Sequence, residues 1–324
     1  MSPRPLSHAD RPSANKAKNK ANDQPKPPQF YTAPPSQTHL STATNTMPTR
    51  PLIIFSHANS FGAGTYGVLF KALRARGFNV KAIDKFGHDA SYPVTSNWPH
   101  LVQQLIDFAR AESEKAGQPA FMVGHSLGGF LSLMATARAP ELAHGVLLLD
   151  APILGGWRAT TLGVIKGAQL VGSVSPGAVS RKRRNSWPDA AAALAHFQRK
   201  KAFAKWDPQV LQDYIDHGTH DQLQAGHTQR VLSFDRAVET AIYNTLPHNL
   251  EALLKRHPVK SPVAFVGGTQ SVEMKQVGMA LTTKICKGRL MMLDGSHLFP
   301  MEHPQATAAA VEAALLNLQR QNAP

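Results

Sequence analysis

A chain of 324 residues, 42% of them apolar, is long enough for a large core or for a core carrying a sizeable insertion, and its single cysteine, Cys286, excludes an intrachain disulfide scaffold. No apolar run approaches the roughly 18 residues of a membrane span, and the N-terminus has charges where a signal peptide has an apolar core, so a cytoplasmic protein without a transmembrane segment is expected. The net charge of +14 invites a polyanionic partner, yet the one dense run, Arg181-Lys182-Arg183-Arg184, has no RNP-like aromatics, helix-turn-helix pattern or paired Cys/His ligands nearby. It reads as a solvated basic loop, and no specific nucleic-acid partner is expected.

In chain order, residues 1–48 are rich in Pro, Lys, Asn, Ser and Thr without hydrophobic periodicity, and are expected to form a disordered basic tail. The stretch Arg50–Tyr66 then reads as an apolar strand running into a glycine-bearing loop, and a helical pattern follows from Tyr66 to Arg76. Gly77–Asp84 reads as a second strand and Trp98–Lys115 as an amphipathic helix with Leu101, Leu105, Ile106 and Phe108 on its apolar side. A short apolar run, Ala120–Val123, leads into a helix that Pro140 stops, and Gly145–Asp150 is a strand with no polar face. Strands buried on both sides belong to parallel sheets covered by helices, so this alternation predicts a doubly wound α/β core.

From Ala151 to about Pro258 strand signals vanish and short helical stretches alternate with Gly, Pro and charged loops, which predicts a helical cap over 152–258 inserted into a core of 49–151 and 259–324. Within it Thr160–Val174 carries only Lys166, and reads as packing inside the cap or as the lining of a channel or lid. Strands return at Ser261–Gly268 and Gly288–Asp294, and a last helix runs from about Pro304 to Arg320.

Gly124-His125-Ser126-Leu127-Gly128, between strand and helix, has the G-x-S-x-G spacing of a nucleophile elbow. Such a turn exposes the serine hydroxyl at the carboxyl edge of a sheet, and its glycines allow the close backbone approach. With this motif, the two late strands and the terminal helix, the chain resembles the α/β-hydrolase superfamily with a cap domain over roughly residues 50–320. The resemblance implies a serine hydrolase in which Ser126 is the nucleophile and His297, in the loop Asp294-Gly-Ser-His-Leu-Phe-Pro, is the general base. It implies an oxyanion hole from the N–H of Leu127 and one from the loop His57-Ala58-Asn59, with the Asn59 N–H preferred, that of Ala58 the alternative and the Asn59 side-chain amide a further candidate. Alanine stands at position 58 where the family pattern has glycine, so a positive φ there would carry strain.

For the acid, the commonest family arrangement has a carboxylate after the penultimate strand, where this chain has Gln270. Asp150, at the strand end where some relatives such as haloalkane dehalogenases carry the acid, is preferred, and Glu273 is the alternative. The implied chemistry is hydrolysis of a small-molecule carboxylic ester, or a related thioester, amide or lactone, through an acyl-enzyme. Carbon–carbon bond hydrolysis, cofactor-free perhydrolysis and ligand binding without turnover are the alternatives. No dinucleotide or phosphate-loop fingerprint is present, and His217, His220 and His227 fit no metal-ligand spacing, so neither cofactor nor metal is expected.

Overall fold

The computed structural model describes residues 50–153, 176–224 and 226–320. The expected tail over 1–48 and the charge-poor stretch from Thr160 to Val174 lie outside them. Six strands form one sheet in the order β2-β1-β3-β4-β8-β9, every neighbouring pair parallel. They are β1 (Leu52–Ser56), β2 (Asn79–Ala82), β3 (Ala120–His125), β4 (Ala143–Leu149), β8 (Val263–Gly268) and β9 (Leu290–Leu293). The helices between them are α1 (Gly67–Ala75), α2 (Pro99–Ala116) and α3 (Leu127–Arg138), with α12 (Pro304–Arg320) last.

Period-two alternation of the strands feeds two apolar layers. Ile53, Phe55, Val123, Leu147 and Val266 join α1 and α12 on one face. Leu52, Ile54, Met122, Leu148 and Phe265 join α2 and α3 on the other. Burying one such side chain stabilises the fold by about 1.5–3 kcal/mol, which explains why the central strands are apolar at nearly every position. At the edge, β9 leaves Leu290 and Met292 exposed.

Between β4 and β8 the chain builds α4 (Pro176–Lys182), β5 (Ser186–Trp187), α5 (Ala190–Gln198), α6 (Pro208–Gly218), β6 (Thr219–Gln224), β7 (His227–Leu232), α7 (Arg236–Asn244) and α8 (Leu250–Arg256). Asp189, Asp207 and Asp235 cap α5, α6 and α7, their side chains accepting first-turn N–H groups. Each cap contributes about 1 kcal/mol.

The helical expectation for this segment needs one addition, since β5, β7 and β6 form a three-stranded antiparallel sheet. Its hairpin strands, T-H-D-Q-L-Q and H-T-Q-R-V-L, are mostly polar and lack alternation, so periodicity could not reveal them. Backbone pairing around Gly226, at φ 82°, holds them instead. No helix among the described residues is long and apolar enough to cross a membrane. Three short helices complete the core: α9 (Val272–Val277), α10 (Ala280–Cys286) and α11 (Phe299–Glu302).

Candidate active site

Ser126 sits between β3 and α3 at φ 52° and ψ −114°, a conformation that costs a non-glycine residue about 1–3 kcal/mol unless its surroundings impose it. The surroundings do so. The Ser126 N–H donates to the Leu149 carbonyl at 3.0 Å, and the Gly129 N–H returns to the Ser126 carbonyl at 3.0 Å. A Cβ on Gly124 would strike the backbone of Gly128, and one on Gly128 would strike Ser56, so both glycines are fixed by close approach. Leu127 is the first residue of α3, whose N-terminal N–H groups have no intrahelical acceptor and favour negative charge.

Asp150 emerges from β4 at φ 41°, fully buried. Its Oδ1 lies 2.8 Å from Nδ1 of His297 and accepts the Ser271 hydroxyl at 2.7 Å, while Oδ2 accepts the Gly268 N–H at 2.7 Å. Burial alone would raise the pKa of this carboxyl. The His297 hydrogen bond and charge, with the Gly268 and Ser271 donors, outweigh that and hold it below the ordinary carboxylate range. Glu273 is the more distant carboxylate, its Oε2 3.9 Å from the same Nδ1 and its side chain 47% exposed. Gln270, at the commonest acid position, turns away, donating to Asp294 at 3.0 Å and accepting from Lys205 at 2.9 Å.

His297 lies between β9 and α11, in a loop pinned by Glu302, whose carboxylate accepts the Ser296 N–H at 2.8 Å and its hydroxyl at 2.6 Å. Ligand atoms of Asp150, Glu273 and His297 all lie within 4.8 Å of one another. A metal ion there would have to displace the Asp150–His297 hydrogen bond. Among the described residues His217, His220 and His227 are not brought together as a ligand group.

On the opposite side, the loop after β1 departs from expectation in two ways. Ala58 does not take positive φ; the left-handed residue is Ser60, at φ 78°, so alanine is tolerated at 58 without strain. The Asn59 side-chain amide, expected as a donor to the oxyanion, instead donates to the Glu239 carbonyl at 3.1 Å. The Ala58 N–H donates to the Tyr66 hydroxyl at 3.0 Å. Among the described residues the Asn59 N–H has no acceptor.

Two buried imidazoles escaped sequence reasoning as structural parts of the site. His125 Nε2 must donate to the His297 carbonyl, 2.9 Å away, because a carbonyl only accepts. Nδ1 then accepts from the Tyr66 hydroxyl at 2.8 Å, and that hydroxyl oxygen accepts the Ala58 N–H. One directional chain therefore joins the loops of His297, Ser126 and Asn59. His57 Nδ1 donates to the Ala58 carbonyl at 2.8 Å and Nε2 accepts the Phe86 N–H at 3.0 Å. Desolvation lowers the pKa of His57 to about 4 and that of His125 to about 3, so both rings are neutral. The variable position of G-x-S-x-G carries no spacing signal for His125, and nothing in the sequence pairs it with Tyr66.

Over residues 53–310 the sequence matches the alpha/beta hydrolase family. It is 28% identical to the monoglyceride lipase of Rattus norvegicus across 39% of this chain, and spans 43% of that lipase. A serine hydrolase-like protein of Dictyostelium discoideum is 24% identical over 75% of this chain and 69% of its own length. Among solved structures, a peroxisomal alpha-beta-hydrolase of Saccharomyces cerevisiae superposes with a TM-score of 0.63 at 16% identity, covering 85% of this chain and 79% of that one. E-2-(acetamidomethylene)succinate hydrolase superposes with a TM-score of 0.61 at 21% identity, covering 82% and 91%. At such identities the structural likeness is one of fold, while the family match covers most of the chain. The chain belongs to the alpha/beta hydrolase family.

Proposed function

We propose that this chain is a serine hydrolase of carboxylic esters, with Ser126 as nucleophile, His297 as general base, Asp150 as the acid and the N–H groups of Leu127 and Asn59 as the oxyanion hole. The observation that carries it is the 2.8 Å contact of a buried Asp150 with His297, whose carbonyl accepts from His125, the residue before a serine held in an elbow. A serine hydroxyl is a weak nucleophile at neutral pH and needs a base to take its proton. With Nδ1 of His297 donating to Asp150, Nε2 keeps the lone pair for that task.

Ser126 Oγ attacks the carbonyl carbon as its proton passes to His297 Nε2, and the oxyanion forms between the two N–H groups. Collapse expels the alcohol, which takes the proton from His297, leaving an acyl-enzyme. Water then attacks with the same histidine as base, releasing the acid and restoring the Ser126 hydroxyl. The segment over 152–258 acts as a cap that shapes the pocket. Similarity to a monoglyceride lipase supports a glycerol or other simple alcohol ester as the substrate class.

Short acyl p-nitrophenyl esters and a fluorophosphonate probe, applied to wild type beside Ser126→Ala, test this. Turnover and labelling are expected in the wild type alone, a loss of about 10⁴-fold or more in the variant. A wild type that neither labels nor exceeds the variant rejects the proposal.

A further inference from the structure

Beyond that reading, the oxyanion loop is held from outside the core. Ser60 adopts φ 78°, which a side chain other than glycine keeps only when neighbours impose it. Its N–H donates to Asn59 Oδ1 at 3.1 Å, and its hydroxyl donates to Glu239 Oε1 at 2.6 Å. The Asn59 amide donates to the Glu239 main-chain carbonyl at 3.1 Å. One residue of α7 thus receives the Ser60 hydroxyl through its side chain and the Asn59 amide through its backbone.

Glu239 is only 4% exposed, and Arg183 Nε lies 3.1 Å from its Oε2. Arg183 belongs to the basic run that reads from sequence as a solvated loop, yet it turns inward to this carboxylate. Burying a carboxylate and a guanidinium carries a desolvation penalty that an apolar pair of the same volume would avoid. An anchor for the inserted segment alone needs no charge. What the carboxylate adds is direction, an acceptor aimed at one hydroxyl.

We propose that Glu239, supported by Arg183, is a positioning residue for the reaction: from the inserted segment it clamps Asn59 and Ser60 so that the Asn59 N–H faces the developing oxyanion. This rests on the assignment of Asn59 as an oxyanion donor. Displacing such a donor by a fraction of an ångström weakens the transition state more than the ground state, so the loss falls on kcat.

The full chain is assayed with p-nitrophenyl butyrate, and folding is followed by thermal melting. Glu239→Ala is expected to lower kcat by about tenfold to a hundredfold with KM within about twofold. Glu239→Gln, which still offers Ser60 an acceptor, recovers most of the loss. Ser60→Ala leaves the Arg183–Glu239 pair intact, and is expected to lower kcat by about tenfold, with a modest fall in melting temperature from the lost buried hydrogen bond. It decides the matter should Glu239→Ala fail to fold.

A lowered melting temperature with wild-type kcat in Glu239→Ala, or a Ser60→Ala variant with wild-type kcat, overturns the clamp. A rise in KM at constant kcat overturns it too. A wild type no better than Ser126→Ala rejects the hydrolase reading itself, whereas an active wild type with unaffected variants rejects only the clamp.

Discussion

The carboxyl ends of β4 and β8 are neighbours in the sheet, paired in parallel from Val146 and Val263 onward, yet they deliver opposite things to the same histidine loop. From β4 comes Asp150, fully buried and 2.8 Å from His297. From β8 come donors that hold that carboxylate, the Gly268 N–H and the Ser271 hydroxyl, while the side chain at 270 faces outward to Asp294 and Lys205. Adjacent strand ends reach the same imidazole, so a carboxylate on either can orient it. The strand end without a carboxylate against the histidine then supports the one that has it. A Cβ on Gly268 would collide with the Gly295 and Ser296 carbonyls, which shows how tightly the β8 end is fitted beneath the histidine loop.

Replacing the two carboxylates is the strongest way to break this contrast. Asp150→Asn keeps the shape but loses the charge that in the proposed mechanism selects the His297 tautomer and stabilises the imidazolium, and kcat is expected to fall by about 10⁴. Glu273→Gln removes a half-exposed group 3.9 Å from Nδ1, and a fall of less than about tenfold is expected. Steady-state kinetics of both variants on one ester measures the difference. A larger loss in Glu273→Gln would move the acid to the β8 side.

The strand ends also divide by charge, which separates two pH windows. At the ends of β1 and β3 stand neutral buried imidazoles, His57 with a pKa of about 4 and His125 at about 3. In the unfolded chain both titrate near 6.5, so as pH falls below that the unfolded state binds protons that the fold refuses. Stability is fully present above about pH 7 and declines toward the two folded values, by about 4 kcal/mol for the pair between pH 7 and pH 5. Asp150 runs the other way. Its pKa is lowered in the fold, so its contribution persists until the pH drops below the ordinary carboxylate range and is lost as its own value is passed. Urea midpoints at pH 7, 5 and 4 measure the first window. A flat profile from 7 to 5 would mean that both rings take up their protons in the fold, and a fall of about 2 kcal/mol that one of them does.

Local pattern carried much of the architecture. β1, β3, β4 and β8 are apolar at nearly every position because both faces are covered, and the elbow glycines stand out because backbone approaches backbone there. What pattern cannot carry is partnership at a distance. The Asp150–His297 contact spans 147 residues, His125–His297 172 and Asn59–Glu239 180. Asp150 could be nominated because a strand end projects it. Ser271, Tyr66 and Glu239 sit in stretches whose local sequence is equally suited to a cap, a core or a surface. The hairpin β6–β7 was illegible for a different reason, since its order comes from backbone pairing and not from a buried face.

A smaller pair of substitutions sharpens the division of labour at the β8 end. Ser271→Ala deletes the hydroxyl that donates to Asp150 at 2.7 Å and caps α9 by accepting the Met274 N–H at 3.1 Å. The lost cap is expected to lower stability by about 1 kcal/mol. With one fewer donor to its charged form, Asp150 should titrate higher, and kcat should fall by roughly threefold to tenfold. Gln270→Ala removes hydrogen bonds that stay on the surface, so kcat is expected to change by less than about twofold. Kinetics and melting curves for the two variants rank them directly. A larger kinetic loss at Gln270 than at Ser271 would mean that the outward-facing side chain governs the histidine loop, and that burial beside Asp150 does not.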